Sequence, residues 1–135
     1  ARQSKRRAAA AAADAVFAAT RRGIAFFAGY LAEPFPFAKY DLVALPDFPF
    51  GGMEHAGATF LREEAVLLAA RTDPARIARR RQLILHETAH QWMGDLVTMR
   101  WFDDLWLKEG FANFLTARAI EASSRSSERT PDSRV

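Results

Sequence analysis

Along the first quarter of the chain, Val16, Ala19, Ile24, Phe27 and Leu31 fall three to five positions apart in an alanine-rich stretch. Alanine is the strongest helix former, and this spacing lines one face of a helix, so a helix is predicted over residues 9–31. Gly23 weakens its middle, and "EPFPF" ends it because Pro34 and Pro36 lack the amide donor a helix interior needs. The period then changes. "YDLVAL" and "ATFLRE" read as short strands over 40–45 and 58–63, with "DFPFGGMEHAG" between them as a loop. Asp73 is a good N-cap, Pro74 suits a first helical position and Gly94 a stop, which predicts a second helix between them. A third is predicted over about 104–122, where "LWLKEGFANFLTARAIEA" has helical spacing. From Ser123 onwards the chain is polar, serine-rich and aperiodic, and disorder is expected. The whole reads as α+β, mostly helical, with a short β element and disordered tails.

With 135 residues there is room for one domain at most. Half of them are hydrophobic, including 11 Phe and 3 Trp, which supports a real core and excludes wholesale disorder. No apolar run approaches the length of about 18 residues that a membrane span needs. The chain has no cysteine, so a disulfide framework and a thiolate metal site are both excluded. Any metal must be held by His, Asp or Glu.

The net charge of +3 sits in the tails, since Arg2, Lys5, Arg6 and Arg7 form a basic head and residues 8–122 are slightly acidic. A basic head without interleaved aromatics is not a nucleic-acid footprint, and no nucleic-acid partner is expected. The head and its alanine run are arranged as in a secretory signal, but Asp14 interrupts the run. Residues 1–13 therefore read as a low-complexity leader, 14–122 as the folded unit and 123–135 as a disordered tail. The lack of a convincing signal or span favours the cytoplasm.

The candidate chemistry lies in "LILHETAHQWMGDL". His86 and His90 are four apart, so on a helix they share a face and can offer two imidazole nitrogens to one ion. Glu87 is turned about a quarter turn away, where it can reach a water without displacing the metal. The bland alternative for H-E-x-x-H is a helix with one buried and one surface histidine. The capped, apolar setting of the pair favours zinc. A catalytic zinc wants a third protein ligand and an open position. Glu109, eighteen residues beyond His90, is the candidate on the next element, with Asp103 and Asp104 as competitors, as partners of the imidazoles or as helix caps.

The run "HETAHQWMGDLVTMRWFDDLWLKEGFA" resembles the zinc-binding segment of the aminopeptidase N family, the gluzincin exopeptidases that include leukotriene hydrolase. The resemblance implies one Zn2+ per chain on His86, His90 and Glu109, with Glu87 as general base. It also implies that residues 14–122 are the central part of a thermolysin-like zinc peptidase catalytic domain.

A second motif lies upstream. In "PFGGMEHAG", Gly51 and Gly52 allow close approach of backbone to a ligand, and Glu54 places a carboxylate beside them. Such a carboxylate pairs with a cation such as a substrate ammonium; the alternative is a glycine turn followed by a solvated glutamate. The family carries G-(A/G)-M-E-N at this distance. By resemblance, Gly51, Gly52, Met53 and Glu54 line the substrate cleft, and Glu54 anchors the free amine of a peptide. His55 stands where the family has asparagine, which alters the hydrogen-bonding reach there.

The resemblance thus implies a metallo-aminopeptidase acting on peptides with a free N-terminus. Family members are several times longer, and their oxyanion tyrosine lies well beyond the third ligand. Tyr30 and Tyr40 both lie upstream, so no residue takes that role by order. The missing parts would leave apolar faces needing further domains or a partner. The alternative function is a zinc-binding, catalytically inactive remnant that acts at most as an interaction module.

Overall fold

The computed structural model describes residues 2–69 and 71–128. The alanine-rich stretch forms α1 (Arg2–Leu31), longer at its start than the apolar spacing predicts. It ends where Ala32 turns to φ 53° and the Glu33 amide donates back to Ala28 O at 3.2 Å. This left-handed cap ends the helix two residues before Pro34. Gly23 marks the crossing of α1 over the zinc-motif helix, since a Cβ there would lie 3.0 Å from Leu85 Cδ2.

Three strands follow, β1 (Asp41–Leu45), β2 (Gly52–His55) and β3 (Ala58–Arg62). β3 is central, parallel to β1 and antiparallel to β2. The segment expected to be a loop therefore contains a strand. Its two glycines hide any alternation, and pairing with β3 supplies the order that propensity does not. The β2–β3 turn is Ala56–Gly57, with Gly57 at φ +70° and no room for a Cβ against Lys39 O at 3.0 Å. The Arg62 guanidinium donates to Phe48 O, Pro49 O and Phe50 O, fixing the loop that leads into β2.

A short α2 (Glu63–Val66) leads to α3 (Pro74–Ala89), whose first turn is capped by Asp73 accepting from the Ala75 amide at 2.9 Å. α3 lies between two apolar clusters. Ile84 packs with Val16, Ala19, Leu61 and Val66; Leu85 and Ala89 pack with Phe27, Trp92, Ala112 and Leu115. Burying each large apolar side chain contributes about 1.5–3 kcal/mol, so these two faces hold α3 from both sides. The buried Trp92 meets Phe27 and Phe35 edge-on and donates its indole N–H to Glu33 O and Pro34 O.

α3 stops at Ala89, five residues before Gly94. His90–Asp95 then form turns closed by the Asp95 amide on His90 O at 3.0 Å and the Val97 amide on Trp92 O at 2.9 Å. Gly94, at φ +136°, permits that reversal. A 3₁₀ turn (Phe102–Asp104) precedes α4 (Leu105–Glu128). α4 continues six residues into the stretch where disorder is expected; residues 129–135 lie outside the described ones. Among the described residues, no helix is long and apolar enough to cross a membrane.

Candidate metal centre

The last turn of α3, its C-cap His90 and the start of α4 bring His86, His90 and Glu109 together. His86 Nε2 and His90 Nε2 lie 3.1 Å apart, and Glu109 Oε2 lies 3.4 Å from the first and 3.5 Å from the second. Tetrahedral zinc with bonds of about 2.0–2.1 Å separates its ligand atoms by about 3.3 Å, so this triangle fits the ion. The tautomer fits as well. His90 Nδ1 faces Met93 O at 2.9 Å, and a carbonyl can only accept, so Nδ1 carries the proton and Nε2 presents its lone pair. Burial, and then the neighbouring His90, push the His86 imidazole below its ordinary range, which favours the neutral form a metal needs. Among the described residues, this is the one group of three such side chains suited to an ion.

The competing candidates lie elsewhere. Asp103 and Asp104 are exposed on the 3₁₀ turn and outside the metal group. His55, which stands where the family has asparagine, is also outside the metal group, exposed at the end of β2 with its ring 4.8 Å from that of Phe60.

Glu87 is 5% exposed, and its Oε2 has no hydrogen-bond partner. Burial first, then the carboxylates of Glu54 and Glu109, push its carboxyl up to about 8. The hydroxyl of the half-buried Tyr40 meets Thr59 Oγ1 at 2.8 Å and is pushed up to about 12, chiefly by burial. It serves the packing between the sheet and α3.

β2 runs beside α3 and places the glycine motif against the metal group. At Gly52 a Cβ would lie 2.3 Å from Glu87 Oε1, so the close approach made there is to the Glu87 side chain. Gly52→Ala is therefore expected to displace that carboxylate. If Glu87 acts as the general base that the family resemblance implies, a shift of about 1 Å would cost about 100-fold in rate. Assaying the variant at full zinc loading checks this; a rate equal to the parent's would show that Glu87 needs no such space.

Glu54, with its side chain 8% exposed, is not the solvated glutamate of the bland reading. Its Oε1 pairs with the Lys108 ammonium. Burial alone would raise the Glu54 carboxyl, but the hydrogen bond from Lys108, a backbone hydrogen bond and the Lys108 charge hold it below its ordinary value. Asp95 stands near this group with Oδ2 unpartnered, raised by burial and then by Glu54.

Two residues here are given no role by the sequence reading. The only sequence signal of Lys108 is a charge next to Glu109. Gln91, fully buried, accepts from the Gly57 amide at 2.9 Å and donates to His55 O at 3.2 Å. It ties the residue after His90 to the β2–β3 turn. Its signal is an amide inside an apolar run, where a buried polar group must find partners.

Residues 16–134 match the model of the peptidase family M1 domain, and the chain belongs to that family. It is 45% identical over 111 residues to aminopeptidase N of Streptomyces lividans, which covers 82% of this chain and 13% of that protein. It is 42% identical over 101 residues to leucyl aminopeptidase of Saccharolobus solfataricus, covering 75% and 13%. Human endoplasmic reticulum aminopeptidase 1 is 47% identical over 91 residues, covering 67% and 10%. The chain thus spans about an eighth of the length of the first of these relatives.

Proposed function

We propose that the chain carries the metal and amine-binding half of a zinc aminopeptidase site. The observation that carries this is the His86–His90–Glu109 triangle with Glu54 beside it, in a family whose relatives are named aminopeptidases. One zinc per chain would be held by His86 Nε2, His90 Nε2 and Glu109. When bound, it supplies a Lewis acid that acidifies water and polarises the scissile carbonyl. Glu87 takes the proton of the attacking water on the carboxylate whose Oε2 is otherwise unpartnered, and returns it to the leaving amine. Glu54 pairs with the α-ammonium of the peptide, and the strand through Gly51, Gly52 and Met53 aligns its backbone. This arrangement selects peptides with a free N-terminus.

Metal analysis of the purified chain is expected to find one zinc. Chromogenic aminoacyl substrates are expected to be cleaved only with the amine free; equal cleavage of their N-acetylated forms would remove Glu54 from its role. The alternative, a zinc-binding remnant without turnover, is favoured by the uncovered start of α4. There Trp106, Phe111 and Phe114 are 66%, 49% and 51% exposed, a face suited to further domains or a partner. Zinc bound without any hydrolysis would select it.

A further inference from the structure

Lys108 and Glu54 form the least exposed lysine or arginine ion pair among the described residues, with side chains 19% and 8% exposed. The lysine is seated by the fold. Its stem crosses Gly94, where a Cβ would lie 3.0 Å from Lys108 Cε and 3.1 Å from Cγ, and where φ is +136°. Its ammonium also lies 3.9 Å from Glu109 Oε1, between the Glu54 carboxylate and the metal group. A peptide with its first carbonyl at the metal group and its amine at Glu54 must place a primary ammonium in that same space.

We propose that Lys108 is an internal competitor for Glu54, and that it sets how tightly a free N-terminus is held. The proposal rests on reading Glu54 as the amine anchor. The ε-ammonium of Lys108 and the α-ammonium of a peptide are the same chemical group, each with three donors and one positive charge. In the free site Lys108 offsets a carboxylate that otherwise stands beside Glu87, Glu109 and Asp95 with little solvent. An arriving ammonium gains only the difference between its own contact with Glu54 and the one it disturbs, and it meets a like charge. Lys108 therefore keeps the bound N-terminus exchangeable and is a specificity-determining residue.

The test uses the zinc-loaded chain and two probes, L-leucine hydroxamate and N-acetyl-L-leucine hydroxamate, whose affinities are measured by calorimetry. Neither requires turnover, and their ratio isolates the amine from metal chelation. Lys108→Met keeps the stem over Gly94 and removes the charge; Lys108→Arg keeps the charge. The preference for the free amine is expected to rise about tenfold in Lys108→Met, the scale of one hydrogen bond to a charged group. It is expected to stay near the parent value in Lys108→Arg. The acetylated probe reports fold and metal in all three proteins. A ratio unchanged or lowered in Lys108→Met, or raised equally in Lys108→Arg, overturns the competitor role. If neither parent nor Lys108→Met distinguishes the two probes, the reading of Glu54 as anchor fails with it. If the parent discriminates and Lys108→Met does so no better, only the competitor fails.

Discussion

Replacing Glu87 with Gln is expected to leave zinc bound and to lower hydrolysis by about 10³-fold, within the range a general base supplies. The substitution keeps size and shape beside Gly52, where a larger change would collide with β2. It removes only the ability to take a proton. The metal group is untouched, because Glu87 is turned away from the His86–His90 face, so zinc content and hydrolysis should separate. Loss of both together would assign Glu87 to metal binding.

The same variant has a signature without metal. The folded Glu87 carboxyl, at about 8, lies above its ordinary value of 4.5. A raised carboxyl stabilises the fold fully below its unfolded value, and that contribution is lost as pH rises through the folded one. Gln does not ionise. Thermal melts of the metal-free proteins should therefore show Glu87→Gln gaining on the parent between about pH 5 and about pH 9. A constant gap would mean that the buried carboxyl titrates no differently from an exposed one.

Removing a ligand should have the largest effect on the metal. His90→Ala is expected to weaken zinc binding by more than about 100-fold, since losing even a partner of a ligand costs 10- to 100-fold. His90 is 1% exposed, so this truncation also opens a cavity. Glu109→Gln provides the matching case, because the Glu109 side chain is 44% exposed and contributes little to packing. Competition with a chromophoric chelator should show both variants losing zinc, with Glu109→Gln keeping the parent melting curve free of metal. Retention of parental affinity in both would dismantle the proposed centre.

The helices were legible because their signals are local. Asp73 and Pro74 mark the start of α3, and the four-residue step from His86 to His90 needs only helix geometry to become a shared face. Glu109 stood beside Asp103 and Asp104 as a candidate until the family resemblance selected it, and the tight turns of His90–Asp95 had no signal in the sequence. Those turns depend on hydrogen bonds such as His90 Nδ1 to Met93 O, which join atoms whose meeting no pattern announces. β2 escaped because "GGMEH" has no alternation of its own and takes its register from β3. Lys108 and Gln91 escaped for a related reason. Each is an ordinary polar residue in sequence and acquires its meaning from a partner 54 positions away at Glu54 or 34 away at Gly57.

Gln91 grips the β2–β3 hairpin at its tip, and the strand runs back from there to Glu54. Glu54 directly precedes the clamped His55, so the direction its side chain takes is set from the residue next to His90. Successive strand residues face opposite ways, so one inserted or deleted residue would turn Glu54 to the far side of the sheet while leaving every side chain present. At this site the count of residues in a short strand is a chemical property, set by the same helix that gathers the metal ligands.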